Sequence, residues 1–293
     1  MQYIVADLEW NGSYTKKAHG YFNEIIEVGA VKLDESLRIT DRYQAVIRPA
    51  VSKKLSGVVT DLTSITAEEL ADGTDFPTMV RELSAFIGDG PAALLTWSTS
   101  DLLVLMENCR FFFGQQEIPF LHYYLDLQAY AQTRMGISAA QQLGLARAGE
   151  LLEIPEDALS LHRAPDDSLL TAHILQKVCE PDGLARAVQP ADEEFYRRIT
   201  FKTTVISDIR DPQVRRSELD FSCPECGRGL RAGEWRFHHR AFCAELHCPD
   251  CRKDYCGRVQ FRIRYEGVEC RRKLSEKRPK PEPEENTEAA AAV

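Results

Sequence analysis

The chain opens on an apolar run that ends in two acids, Tyr3-Ile4-Val5-Ala6-Asp7-Leu8-Glu9-Trp10. Short apolar runs of this kind read as β-strand. Alternation along a strand sends Asp7 and Glu9 to the same face. Two carboxylates so close repel each other unless a cation lies between them. The run therefore predicts a divalent-metal site at the edge of a sheet. Acids at strand ends are commonly just solvated, so the reading needs partners elsewhere in the chain.

Partners recur in order. A second apolar run, Ala92-Ala93-Leu94-Leu95-Thr96-Trp97, is followed by Ser98-Thr99-Ser100-Asp101 and then Leu102-Leu103-Val104-Leu105-Met106. This predicts strand, turn and helix, with Asp101 at the turn or in the first helical turn. In isolation Asp101 would read as a helix cap. A third segment, His162-Arg163-Ala164-Pro165-Asp166-Asp167-Ser168, leads into Leu169-Leu170-Thr171-Ala172-His173-Ile174-Leu175. It predicts a helix with Pro165 at its start, His162 on the loop before it and Asp167 in its first turn. In isolation these acids would simply favour the helix dipole.

One chemistry accounts for all three segments. Asp7, Glu9, Asp101 and Asp167, with a mobile His162, suit two-metal phosphodiester hydrolysis, in which two hard cations about 3.5–4 Å apart bridge the scissile phosphate. Mg²⁺ and Mn²⁺ prefer oxygen ligands, so carboxylates are the right residue type. A histidine of near-neutral pKa can take the proton of the attacking water.

The ordered motifs Asp-x-Glu, Trp-x-x-x-Asp and His-x-Ala-x-x-Asp resemble the DnaQ-like 3′-5′ exonucleases of the DEDDh type. Glu24-Ile25-Ile26-Glu27-Val28-Gly29-Ala30-Val31 resembles the family's second strand. Asp61-Leu62-Thr63-Ser64-Ile65-Thr66 resembles its Leu-Thr-Gly-Ile-Thr segment, and Tyr124-Leu125-Asp126-Leu127 the segment before a later helix. The resemblance is closest to the KapD-like and histone-mRNA-exonuclease-like branch, which also carries His-Arg-Ala-x-Asp-Asp. It implies an α/β, RNase-H-like domain with a central mixed sheet flanked by helices. It implies two catalytic Mg²⁺ or Mn²⁺ on Asp7, Glu9, Asp101 and Asp167, with His162 as general base. The spacing His-x4-Asp selects Asp167, leaving Asp166 as a solvated helix-start acid. Substrate contacts are expected from Leu8, Trp10, Asn11 and Trp97. The chain departs from the family at Trp10-Asn11, where many members have Thr, and at Ser98, where Gly often follows the tryptophan.

The last third has a different character. Seven of the nine cysteines lie between residues 223 and 270. Cys223-Pro224-Glu225-Cys226 and Cys248-Pro249-Asp250-Cys251 are paired knuckles, the spacing of a Zn²⁺ site in a small β-rich zinc ribbon. Cys243 and Cys256 compete for ligand places or are ordinary buried thiols. Cys109, Cys179 and Cys270 lack paired spacing. His238, His239 and His247 read as surface residues. A disulfide framework is the rival for the whole set; it is disfavoured because acids at Asp7 and Glu9 interrupt any signal-peptide core. Residues 218–280 carry 15 Lys/Arg against 10 Asp/Glu, a net of +5. Trp235, Phe237, Phe242, Tyr255 and Phe261 are interleaved with these cations. They serve either as base-stacking platforms or as the ribbon's own core.

The expected organisation is an exonuclease domain over 1–183, a connecting region over 184–217, a zinc ribbon over 218–273 and a disordered tail over 274–293. No apolar run approaches the ~20 residues of a membrane span, and a cytoplasmic location is expected. The function expected is 3′-5′ exonucleolytic hydrolysis of single-stranded nucleic acid, RNA slightly favoured over DNA, releasing nucleoside 5′-monophosphates. A DNA-directed repair or proofreading exonuclease is one alternative. A non-catalytic nucleic-acid-binding or scaffold protein is an alternative of another class, against which the presence of all five expected active-site residues argues.

Overall fold

The structure, a computed structural model, describes residues 1–52, 54–138, 141–155 and 162–277. The chain divides into two compact units, Met1–Thr200 and Phe201–Val293.

In the first unit the elements run β1 (Gln2–Thr15), β2 (Gly20–Leu33), β3 (Ile39–Val46), α1 (Gly57–Thr63), α2 (Ala67–Asp72), α3 (Phe76–Ile87), β4 (Ala92–Thr96) and α4 (Ser100–Phe113). They continue with β5 (Tyr123–Asp126), α5 (Leu127–Arg134), α6 (Leu145–Leu151), α7 (Ala164–Val178), α8 (Pro181–Ala187), β6 (Gln189–Pro190) and α9 (Glu193–Thr200). Six strands form one sheet in the order β3-β2-β1-β4-β5-β6. β1, β2 and β3 pair antiparallel, β4 and β5 join parallel, and β6 returns antiparallel, which makes the expected mixed α/β sheet.

The alternation of β1 sorts the core. Ile4, Ala6 and Leu8 pack on one face with Met79 and Leu83 of α3 and Leu102 and Leu105 of α4. Tyr3 and Val5 pack on the other with Ala172 and Leu175 of α7. Asp7 and Glu9 keep the parity of Tyr3 and Val5, so they lie on the α7 side. A register shift follows between Glu9 and Trp10, opposite Glu27 and Ile25. Bulges re-aim side chains and are common beside active sites.

The expected boundary at 183 is corrected. β6 pairs with β5, and Phe195 of α9 is buried against Tyr124, so the first unit runs to Thr200. The rest of the expected connecting region belongs to the second unit, where Ile206 and Val214 sit in the core. That unit contains β7 (Thr204–Val205), β8 (Arg231–Ala232), β9 (Arg236–His238), β10 (Ala241–His247), β11 (Asp254–Arg264) and β12 (Gly267–Glu276). β12, β11, β10 and β8 are neighbours in a sheet, with β7 on β11 and β9 on β10. Residues 274–276 are the end of β12 rather than tail; 278–293 lie outside the described residues. Phe242, Tyr255 and Phe261 are buried, so for these three aromatics the core reading wins over stacking. Phe237 is exposed. Among the described residues no helix is long and apolar enough to cross a membrane.

The Leu-Thr-Gly-Ile-Thr-like segment shows a local conflict between residue and backbone. Ser64 caps the C-terminus of α1 at φ 58, ψ 13, a left-handed conformation that glycine adopts freely and an L-residue resists. Its side chain is exposed, so it offers no packing in compensation. Ser64→Gly should raise stability by about 0.5–1 kcal/mol, the αL cost removed less the chain entropy glycine adds to the unfolded state. Thermal melting of the variant checks this; a lower Tm than the parent would contradict the conformation.

Candidate active site and cysteine cluster

Ligand oxygens of Asp7, Glu9 and Asp167 lie within 4.8 Å of one another. β1 supplies the first two and the first turn of α7 the third. Asp101 lies at the second position of α4, without capping it. Its Oδ1 accepts the Leu8 N–H at 3.2 Å, so it is tied to the same strand but stands outside the trio. Asp167 Oδ1 is buried with no hydrogen-bond partner. A buried, unpartnered carboxylate oxygen beside two further acids fits a divalent cation, which satisfies the lone pair and cancels the repulsion. His162 precedes α7 with φ 71 and is exposed. Asp166 is outside the trio and half-buried.

α7 reaches this place because β2 lets it. Gly29 is the partner of Asp7 in the β1–β2 register. A Cβ at Gly29 would lie 2.2 Å from the carbonyl carbon and oxygen of Ala164 and 2.3 Å from Pro165 N. Only a residue without a side chain allows the helix start to rest on the strand there. Two residues back, Glu27 is buried directly opposite Glu9. Its carboxylate accepts from Arg163 Nε at 2.9 and 3.1 Å, from Arg163 Nη2 at 2.6 Å and from the Ala164 N–H at 3.0 Å. Arg163 also reaches Glu69 of α2 at 3.5 Å. Removing one member of so enclosed a pair typically costs ~3–5 kcal/mol. Residue order alone assigns Glu27, Gly29 and Arg163 no positioning role. The available signal was an acid inside the otherwise apolar run Ile25–Val31.

Several expected substrate contacts are corrected. Leu8 is in the core, and it is its backbone N–H that serves the site, through Asp101. Asn11 is 1% exposed. Its Nδ2 donates to the Lys54 carbonyl at 3.0 Å and its Oδ1 accepts the Ser56 N–H at 3.0 Å, so it anchors the loop before α1. Trp97 donates its indole N–H to the Leu143 carbonyl at 3.2 Å and packs between two core clusters. Trp10 is half-buried against the α3–α4 core.

In the second unit the sulfurs of Cys223, Cys226, Cys248 and Cys251 lie within 4.8 Å of one another. The two knuckles are built alike. The N–H of Gly227 returns to the Cys223 carbonyl and that of Arg252 to the Cys248 carbonyl, both at 2.9 Å. Gly227 and Arg252 both take positive φ, 73 and 54, as the turn demands. Arg228 of one knuckle pairs with Asp250 of the other at 2.7 Å, and Lys253 pairs with Glu225. Such a four-thiol cluster is compatible with a zinc ribbon. Cys243 and Cys256 stand outside it, and Cys256, expected to be buried, is exposed on the solvent side of β11.

Electrostatics give the acid cluster a measurable signature. Burial, then the charges of Asp101, Asp167, Glu9 and Glu27, hold Asp7 well above the ordinary carboxylate range. Burial and the neighbouring acids push Glu9 to about 8. Burial likewise raises Asp101 to about 7 and Asp167 to about 6, the latter opposed by His162. Where the folded-state pKa exceeds the unfolded one, the folded state binds the extra proton. Stability is then present at low pH and lost as pH rises. Without added divalent ions, the protein should therefore lose Tm between about pH 4 and pH 8 more steeply than its Asp7→Asn variant. Mn²⁺ added at pH 8 should restore the loss. Parallel Tm profiles for the two proteins would contradict the cluster's geometry.

Comparison with known proteins agrees with the geometry. A family model described as exonuclease, of the RNase T type, matches residues 4–175. The probable 3′-5′ exonuclease KapD of Bacillus subtilis (strain 168) is 27% identical over 183 residues, 61% of this chain and 84% of the relative. A 3′-exonuclease solved in 3′-end-specific recognition of a histone mRNA stem-loop superposes with a TM-score of 0.53 at 20% identity, over 66% of this chain and 71% of that one. The nuclease domain of 3′hExo, a DEDDh family member bound to rAMP, superposes with a TM-score of 0.52 at 20% identity, over 65% of this chain and 96% of that one. At that identity the structural likeness speaks for the fold. The family match spans more than half of the chain and includes all four acids and His162, so the protein belongs to the RNase T-type exonuclease family, as a 3′-5′ exonuclease of the DEDDh kind.

Proposed function

We propose that the first unit hydrolyses single-stranded nucleic acid from its 3′ end, RNA in preference to DNA, and releases nucleoside 5′-monophosphates. The observation that carries this reading is the buried, unpartnered Asp167 Oδ1 set against Asp7 and Glu9. Asp7, Glu9 and Asp167, with Asp101 beside them, would hold two Mg²⁺ or Mn²⁺. Such ions supply Lewis-acid stabilisation of charge developing on the phosphate and ease deprotonation of the attacking water.

The chain's own groups divide the remaining work. The Leu8 N–H keeps Asp101 aligned with β1. The Glu27–Arg163 pair and the close approach at Gly29 hold the start of α7, so the Asp167 carboxylate keeps its place. His162, exposed just before α7 and five residues ahead of Asp167, is the group we assign to accept the water's proton. RNA is favoured because the two superposing nucleases quoted above were solved with a histone mRNA stem-loop and with rAMP.

Side-by-side digestion of 5′-labelled single-stranded RNA and DNA with Mg²⁺ or Mn²⁺ tests the reading. The expected result is a ladder shortening from the 3′ end, faster on RNA, abolished in Asp7→Asn and slowed about 10²–10⁴-fold in His162→Ala. A ladder on DNA alone would reassign the substrate. Intact RNA and DNA under every condition would remove the catalytic reading.

For the second unit we propose one structural Zn²⁺ on Cys223, Cys226, Cys248 and Cys251. Thiolates select zinc over magnesium, and in a unit this small zinc binding contributes much of the folding free energy. Metal analysis of the purified chain should find about one zinc, retained in excess Mg²⁺ and lost in the double variant Cys226→Ser/Cys248→Ser. Full zinc content in that variant would place the metal elsewhere.

A further inference from the structure

The first unit must handle a polyanion although it is strongly acidic: residues 1–200 carry 29 Asp/Glu against 17 Lys/Arg, a net of −12. One exception grows out of the active-site strand. Past Glu9, β1 continues to Thr15 and turns back into β2 at Gly20. Residues 10–23 of this hairpin contain no acid, and Lys16, Lys17 and His19 at its tip are all exposed. Tyr14 and Tyr21 are direct cross-strand partners, so their rings share one face. They are 84% and 68% exposed, which is unusual for tyrosines within a paired strand. Neither hydroxyl has a hydrogen bond among the described residues. Gly12 leaves the room that Tyr21 occupies: a Cβ there would lie 2.1 Å from the Tyr21 hydroxyl oxygen.

The hairpin is also held in place. Ser13 Oγ lies 2.9 Å from Ser52 Oγ, Asn11 grips Lys54 and Ser56, and Lys17 Nζ donates to the Ala50 carbonyl at 3.1 Å. On the far side of that loop, Glu24 accepts the backbone N–H groups of Ala50, Val51 and Ser52 at 2.6–2.8 Å. Loop and ribbon therefore form one braced projection, not a free arm. The brace also explains why Asn11 is buried and cannot serve the substrate directly.

We propose that this hairpin is a second binding platform for the nucleic-acid strand being degraded. Tyr14 and Tyr21 stack bases, and Lys16 and Lys17 meet phosphates. The proposal rests on the exonuclease reading only for the polarity of the strand, its 3′ end at the acid trio. Aromatic faces accept any base, and neighbouring cations follow the backbone, so the platform is sequence-tolerant. Five residues of strand separate Glu9 from Tyr14, about 17 Å at ~3.3 Å per residue. Tyr14 keeps the parity of Trp10, so it leaves β1 on the face opposite Asp7 and Glu9. A strand from the acid trio reaches it by crossing the edge of β1 that β4 pairs only as far as Val5. The path is therefore at least about five stacked nucleotides at ~3.4 Å each. The platform therefore acts on long strands and is out of reach of a trinucleotide.

Fluorescence anisotropy of a 5′-fluorescein 20-nucleotide single strand, without added divalent ions so that none is cut, tests it with the full chain. Tyr14→Ala/Tyr21→Ala should weaken binding by roughly tenfold or more, while Tyr14→Phe/Tyr21→Phe, which keeps the rings, stays near the parent. Lys16→Ala should lower the salt slope of log K by about 0.7, the value of one phosphate contact on a single strand. In hydrolysis, KM for the 20-mer should rise in the double alanine variant relative to KM for a trinucleotide. Parental affinity for the 20-mer in that variant would overturn the proposal and leave the exposed tyrosines to a protein partner. An equal loss for the 20-mer and the trinucleotide would also overturn it, placing the defect in the acid trio. Failure of the exonuclease reading looks different: a 20-mer that is bound through the tyrosines but never shortened with Mg²⁺ or Mn²⁺.

Discussion

The start of α7 rests on β2 at Gly29, and the acid centre depends on that approach. β1 alone delivers Asp7 and Glu9 to one face. Asp167 joins them only because a glycine opposite Asp7 lets the Ala164–Pro165 peptide sit against the strand. The contact is then secured by charge. Glu27, set opposite Glu9, would add one more repelling carboxylate, but the Arg163 guanidinium and the Ala164 N–H hold it. One acid of β2 thereby becomes the clamp for the helix that carries another.

The remaining acids are left in conflict. Asp7, Glu9, Asp101 and Asp167 are held above the ordinary carboxylate range by burial and by neighbouring acids, and Arg163 only opposes the rise at Glu9. A structural role would be better served by neutral side chains, since buried like charges destabilise the fold. Retaining them makes sense where a cation resolves the repulsion, and a site that destabilises the empty fold is one the cation stabilises on binding. The same reasoning separates the two halves of the chain. Hard carboxylates gather in the first unit and soft thiolates in the second, so different metals suit each.

The second unit repeats a small device twice. Each knuckle needs one residue at positive φ after its second cysteine; glycine fills the first and arginine the second. The conformation is thus imposed by the cluster and its return hydrogen bonds rather than chosen by the residue. Ion pairs crossing from each knuckle to the other add little energy at such exposed positions, but they fix which faces meet.

Much was legible from residue order alone. Apolar alternation ending in Asp7-Leu8-Glu9, the strand–turn–helix around Asp101, the helix start at Pro165 and the Cys-x-x-Cys pairs are local patterns, and local geometry decides them. They were enough to name the family and the mixed sheet, and to single out Asp7, Glu9 and Asp167 and the four sulfurs that the fold gathers. The extents of the units were not legible, because pairing of β6 with β5 and burial of Phe195 join residues far apart in the chain. Nor were the second roles of polar residues. Asn11 looked like a substrate contact and is a loop anchor; Leu8 serves through its N–H and Trp97 through packing. A side chain's partner across a fold depends on long-range register and close approach, such as the one at Gly29. The sequence determined which groups can do chemistry; the tertiary structure decided which of them meet, because only packing sets the distances on which charge and hydrogen bonding depend.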